Sequence, residues 1–459
     1  MANYSLVLQT ATGKVELDTV LTTPSNRVLL NPVGGAGPTI PFSIVVPSSS
    51  WSIPAYSMVI RGTSGKTITV DWGDGGATTD YSMTGYEVAM NHTYATSGTK
   101  TCTLTGDTDQ LNKLSWFAPN IISLNDIPDN ITYIFLQIST INGSINSLST
   151  SLTTLYLYAP DLSTVSGSIS TLPASALDLI INSGIANTSI TGSISTYAAT
   201  NLTQLHLTNL NSITGSINDL STNFPNLIGL TLNNNTGLTG SISNFGNTLD
   251  NITIYGQGAF TGSISALPTG LLSYIHTEMN AAITGSIASL PNGLTSLFIG
   301  SITTNISGSI NSVPSGLIDC VIIGAAGGSN ITGTLSGTLP SGLTRFEIVE
   351  YGSTLGGGDI ANIPAGIQML QLRGMLCTYS YTASNAWAAP MYSVRIEPGS
   401  GYGLTATQVD NLLIDLDTTT WLSSSGQINL KSYNAGRTAA SNTAYTDLTT
   451  TKNVTVNTN

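Results

Sequence analysis

Between residues 109 and 398 the apolar positions come in short alternating bursts, such as Leu202, Leu205 and Leu207 in NLTQLHL, or Leu294, Leu297 and Ile299 in GLTSLFI. Alternation at period two marks a short strand with one face buried. Behind each burst stands a glycine followed by Ser-Ile or a close variant, at Gly143, Gly167, Gly192, Gly215, Gly240, Gly262, Gly285, Gly308, Gly333 and Gly358. Consecutive glycines are 22 to 25 residues apart. That is a solenoid period: one coil cannot bury its own apolar face, so stacked neighbours supply the core. From Leu267 onward a second element precedes the strands, reading LPTGL, LPNGL, VPSGL, LPSGL and IPAGI, with prolines at 268, 291, 314, 340 and 364. Pro presets φ near −65° and Gly is free to take positive φ, so each is expected to form the corner before a strand.

The flanks read differently. Residues 42–108 alternate strands and turns, including TITVDWGDGGATTDY and NHTYATSGTKTCTLTG. After the repeats, Thr405 to Gln408 is a Thr-x-x-Gln capping box, and Val409, Leu412, Leu413 and Leu416 follow at helical spacing. This predicts a short amphipathic helix, which with the strands GQINL and KNVTVN makes 399–459 a C-terminal cap. The first 41 residues hold two possible short strands and a Gly/Pro linker, NPVGGAGPTIP, an arrangement suited to an attachment arm.

The units LxxLxLxxNxxITGSI resemble the leucine-rich repeat family, in its 24-residue class with an LTGxIP-like element. Leu227, Leu230, Leu232 and Asn235, followed by Leu238, Gly240 and Ile242, come nearest the family pattern. The Pro that the family places after GSI is usually Ser or Asn here, and several repeats lack the asparagine, so an unbroken asparagine ladder is not expected. WGDG (Trp72 to Gly75) with HTY (His92 to Tyr94) resembles the PKD-type immunoglobulin-like sandwich, which implies that Asp71, Asp74 and His92 serve a structural turn. The ending LTATQVDNLLIDL…GQINL…VTVN resembles those of leucine-rich repeat proteins from Bacteroidota-type bacteria and their phages. The fold expected is therefore mainly β: a solenoid with a parallel sheet over 109–398, preceded by a small β-sandwich and closed by an α/β cap.

Charge narrows the functional classes. Only 8% of the 459 residues are charged, against roughly 25% in an ordinary globular protein. Ser, Thr, Asn and Gly fill the deficit, while 41% apolar residues suffice for a large core. A net charge of −12 disfavours nucleic acid and anionic membrane surfaces as partners. No apolar stretch is long enough to span a membrane, and the N-terminus lacks the basic and apolar regions of a secretory signal. Cys102, Cys320 and Cys377 have neither disulfide nor zinc spacing and read as buried small hydrophobes.

Chemistry is sparse. None of the three histidines has a carboxylate or cysteine at ligand spacing, and His276 aligns with Ile299, a core position. The Gly356 to Gly358 run lacks the lysine and the strand-to-helix setting of a phosphate loop. Asp107 with Asp109, and Asp415 with Asp417, are too few ligands for calcium. No enzyme, cofactor or metal is expected. Residues between the core leucines point out from the strand face, which offers Tyr133, Phe135, Tyr156 and Tyr158 early, then Gln204, His206, Asn233, Tyr255 and Phe298. Aromatic rings beside amides suit sugars, although Tyr and Phe also simply favour strands. From Leu114 to Thr344 there is no Lys or Arg; Arg345, Glu347, Gln371, Arg373, Arg395 and Glu397 then share the face, as a lateral ladder or a docking site. The function expected is a non-enzymatic bacteriophage virion protein, a spike, fibre or decoration. Its N-terminal region would seat on other virion proteins, its solenoid would meet a host glycan or protein, and it would assemble as a homo-oligomer. The alternative is a bacterial cell-surface adhesin.

Overall fold

The computed structural model describes residues 37–459 except 118–120, 257–258, 278–281, 303–304, 325–329, 350–354, 375–376, 383–386, 389 and 423–425. Of residues 1–36 it describes the backbone of two antiparallel strands, Leu6–Thr10 and Gly13–Leu17. Of the expected arm 1–41, only these two strands and residues 37–41 are among the described residues. The chain divides into two compact units, Met1–Thr191 and Gly192–Asn459.

In the first unit, Ile40–Val46 pairs antiparallel with Gly98–Gly106, which pairs in turn with Thr67–Asp71 and so with Thr79–Ser82. On the other side Met58–Gly62 pairs with Val88–Ala89. Alternation sends Phe42, Trp72, Tyr94 and Trp116 inward, and all four are buried. The sandwich is not a separate bead. Met58–Gly62 runs antiparallel to Leu111–Trp116, the first strand of the parallel stack, and Ile40–Val46 does the same to Ile121–Ser123 on the opposite side. Both sheets of the first coils therefore begin on sandwich strands, so the open end of the stack, with its unpaired backbone groups, is covered.

Each coil repeats one physical scheme. A strand such as Thr154–Ala159 hydrogen-bonds in parallel register to its neighbours, with Leu155 and Leu157 buried. At the far corner the ten repeat glycines all have positive φ, from 94° to 136°, a region closed to residues with a Cβ. The serine after the glycine then caps a single 3-10 turn. Ser144, Ser168, Ser216, Ser241, Ser263, Ser286 and Ser309 each accept the N–H two residues on, at 3.2 Å. The isoleucine that follows is buried in each case. The motif Gly-Ser-Ile is thus a turn residue, a cap and a core residue in succession.

The family's Pro is absent after this motif because the Ser or Asn there carries a load. Asn146 Oδ1 accepts from Ser168 N at 2.8 Å in the first unit. In the second, Asn218, Ser243, Ser265 and Asn311 accept from Ser241, Ser263, Ser286 and Thr334 N at 2.8 to 2.9 Å. These side chains tie one coil to the next on the side opposite the strands, except where alanine takes the position, as at Ala288. The strand-side asparagines are fewer, as expected. Asn235 is buried, accepting from Leu210 N at 2.9 Å and donating to Leu207 O at 2.7 Å, and Asn434 bonds Leu404 N and Ile396 O in the same way.

The LPxGL element departs from expectation. Its hydrogen bond runs from the residue after Gly back to the Pro carbonyl, as in Leu294 N to Pro291 O at 3.0 Å and Leu271 N to Pro268 O at 3.1 Å. Pro is therefore the first residue of the turn, and none of Gly270, Gly293, Gly316, Gly342 and Gly366 has positive φ. The same turn forms without glycine at Ala199 to Leu202 and Pro173 to Ala176. A Cβ on Gly293 would meet nothing closer than 3.9 Å. Gly293→Ala is accordingly expected to stabilise by about 0.4–1 kcal/mol through the unfolded chain, read as a higher urea midpoint; a clear loss would show that the turn needs glycine after all.

At the C-terminal end the helix Ala406–Thr418 carries the expected box: Gln408 Oε1 accepts from Thr405 N at 2.9 Å and Thr405 Oγ1 from Gln408 N at 3.4 Å. Val409, Leu412, Leu413 and Leu416 are buried. Gln427–Asn429 and Thr455–Asn457 extend the parallel sheet. Buried Asp410 fixes the following segment by accepting from Thr438 N and Oγ1 and from Ser441 Oγ. Burial alone pushes its pKa up, but these bonds outweigh it and hold the carboxyl below its usual value. No described helix is long and apolar enough to cross a membrane.

Candidate binding face

The first unit brings four of the nine predicted site residues together. On Tyr133–Gln137 and Thr154–Ala159, the alternation that buries Ile134, Leu136, Leu155 and Leu157 turns Tyr133, Phe135, Tyr156 and Tyr158 outward, each half-buried. Parallel register sets Phe135 directly opposite Tyr156. The Phe135 ring lies 5.3 Å from that of Tyr156 and 5.9 Å from that of Tyr158, while Tyr133 and Tyr156 are 6.3 Å apart. Tyr156 and Tyr158 are nearly parallel, 12° apart in plane. Phe117, exposed and missed in the sequence, extends the strip at 4.9 Å from Phe135. Its signal was available, since it falls two residues past Ser115 and continues the alternation just beyond the end of Leu111–Trp116.

Charges flank the strip. At one end Lys113 Nζ sits 4.2 Å from the Tyr133 ring centroid and 2.6 Å from Glu87 Oε1, which lowers the Glu87 pKa. At the other, Asp178 stands beside the Tyr156 hydroxyl; burial first, then this carboxylate, pushes the Tyr156 pKa up to about 12. Burial likewise raises the Tyr158 pKa, so both of these phenols stay neutral donors and acceptors at physiological pH.

The remaining five lie in the second unit, all half-buried on the outward face, without a comparable cluster. Asn233 stands opposite Tyr255 in register, and Thr208 opposite Asn233. His206 Nε2 bonds Thr208 Oγ1 at 2.8 Å, and burial lowers its pKa. Phe298 pairs in register with Ile275, and the Gln204 amide lies against Gly229. Beyond them Arg373 and Glu397 pair laterally at 3.0 Å, whereas Arg345–Glu347 and Arg395–Glu397 pair along their own strands at 2.7 and 2.9 Å. The ladder is thus partly lateral. Its charges pair with one another, although Arg395 Nε meets Glu397 at ion-pair distance without a hydrogen bond.

Other candidates resolve as structure. The sequence hid one pair: His92 Nε2 lies 2.8 Å from Asp74 Oδ2, although 18 residues separate them, and its ring stacks on Trp72 at 4.9 Å. That bond lowers the Asp74 pKa. Asp71 and Asp74 otherwise accept from Gly73 and Gly76 N, closing the WGDG turn. Asp415 accepts from Tyr381 while Asp417 meets Lys452, so the two carboxylates serve different partners. The three cysteines are buried, free thiols. Among the described residues no three His, Cys, Asp or Glu side chains are grouped to hold a metal.

No protein-family model matches the chain, and no curated protein matches it either. Among solved structures it is similar to a plant peptide-hormone receptor, RGFR1 in complex with RGF2, at 16% identity and a TM-score of 0.40, over 76% of this chain and 51% of that one. It is also similar to PEPR1–AtPEP1, at 14% identity and 0.40, over 70% and 55%. The chain spans about half the length of these structures. Its own strands, glycine corners and buried isoleucines make it a leucine-rich-repeat-type solenoid.

Proposed function

We propose that the chain is a non-enzymatic recognition protein of a bacteriophage particle, its N-terminal region seated on other virion proteins and its strand face turned to the host surface. The observation that carries this reading is the aromatic strip of Phe117, Tyr133, Phe135, Tyr156 and Tyr158, whose rings adjoin one another on the outward face of paired strands and stay partly exposed, beyond what cross-strand pairing alone requires. Three further points support it: a surface of hydroxyls and amides with no Lys or Arg from Leu114 to Thr344, the order of arm, sandwich and solenoid, and the likeness of the sandwich to PKD modules and of the ending to phage proteins. Homo-oligomeric assembly belongs to this reading, as symmetric copies multiply weak contacts. A bacterial surface adhesin would use the same strip. Immunogold electron microscopy of the producing culture separates them: labels at regular positions on phage particles are expected, labels on the cell envelope would favour the adhesin, and a diffuse cytoplasmic signal would defeat both.

A further inference from the structure

We infer that the aromatic strip of the first unit is a subsite for a neutral oligosaccharide built of hexopyranose rings. The inference deepens the recognition role proposed above and rests on it for the presence of a surface ligand. The strip is too polar for an apolar helix or strand. Tyr133, Tyr156 and Tyr158 carry hydroxyls at their ring edges, and Gln137, Thr154 and Asn182 stand in register between and beside them. An apolar partner would strip water from these groups without replacing its hydrogen bonds.

Charge disfavours anionic ligands. Lys113 is already engaged by Glu87 and by the Tyr133 ring, Arg61, in register with it on the neighbouring strand, bonds Asn112 Oδ1, and no Lys or Arg occurs between Leu114 and Thr344. Asp178 places a carboxylate at the opposite flank, which repels sulfate, sialate or phosphate groups. What remains is a ligand with apolar faces and uncharged hydroxyl edges. A hexopyranose has both: its axial C–H face stacks on a phenol or phenyl ring, and its hydroxyls can donate to a carboxylate such as that of Asp178. Several rings on two neighbouring strands, with centroids 5.3 to 6.4 Å apart, suit successive sugar units better than one small molecule.

The test uses the full chain on an array of neutral, sulfated and sialylated oligosaccharides. Signal from neutral hexose oligomers is expected. Tyr156→Ala with Tyr158→Ala should weaken it by about ten- to a hundredfold, two stacking contacts being lost, with the melting curve retained. Should that pair disturb folding, Asp178→Asn and Tyr156→Phe keep shape and stacking. Each should then lower the signal several-fold. Signal confined to sulfated or sialylated glycans, neutral signal indifferent to all these variants, or no glycan signal at all would overturn the inference. Immunogold labelling separates the two failures: labelled particles with an empty array sink only the sugar subsite, and unlabelled particles sink the virion reading whatever the array shows.

Discussion

Gly240→Val is expected to destabilise the second unit by about 3–5 kcal/mol, seen as a lower urea midpoint and as loss of amide protection around residues 216–244. Two costs add. At φ 117° the backbone is in a region that a β-branched residue scarcely enters. A Cβ would also sit 2.7 Å from Ser216 Oγ, 2.9 Å from Ile217 Cγ1 and 3.1 Å from Asn218 Oδ1. Those three atoms are the cap, the core residue and the inter-coil acceptor of the preceding coil, so relief at one point breaks another. Asn218 could not retreat without releasing Ser241 N, which it holds at 2.8 Å. Because each coil touches only its neighbours, the loss of protection should stay local. An unchanged midpoint would mean that the corner tolerates a side chain, and the glycine period would need another cause.

The contrast between Gly240 and Gly293 shows where the sequence was readable. Gly-Ser-Ile recurs at near-constant spacing, and a backbone demand that only glycine meets is repeated in every coil, so period and physics point to the same residues. Gly293 also recurs, but its recurrence reflects a turn whose carbonyl acceptor is Pro291, and the positive φ inferred from Pro-x-Gly was wrong. The outward placement of Tyr133, Phe135, Tyr156 and Tyr158 followed from alternation, which survives any register. Their mutual contact needed one more fact, the parallel register of adjacent coils. Pairings that ignore the period left no trace. Asp74 and His92 meet because Thr67–Asp71 and Thr93–Tyr94 are brought together by the sandwich, and Met58–Gly62 joins Leu111–Trp116 across nearly fifty residues. Long-range antiparallel pairing is set by the whole core, and no local pattern encodes it.

The second large effect concerns acid. His276 lies fully buried in a column with Ile254 and Ile299, and its Nδ1 is 2.8 Å from the hydroxyl of buried Tyr274. Burial depresses its pKa from 6.5 to about 4. The imidazole is thus neutral in the folded chain over a range where the unfolded chain binds a proton. Above pH 6.5 neither state is protonated and stability is unaffected; as pH falls from 6.5 to 4 the unfolded state gains, at about 1.4 kcal/mol per pH unit, so about 3 kcal/mol is expected to be lost by pH 4. Asp410 and Glu397, whose carboxyls are held below their usual values, add their loss only at lower pH, as those groups protonate. The two windows are separable. His276→Ile would remove the titration but leave the Tyr274 hydroxyl buried without its acceptor, at about 1–3 kcal/mol, and Tyr274→Phe would orphan Nδ1 in the same way. The double variant replaces a polar pair whose His276 Nε2 is buried without a hydrogen-bond partner by apolar groups of similar shape, so it should be at least as stable as the parent at pH 7.5 and more stable at pH 4.5. Urea titrations of the four proteins at both pH values provide the check. A parent midpoint that does not move between them would show that the imidazole is not held neutral by this core, and a double variant that loses the sum of the two single effects would show that the two groups do not act as a pair.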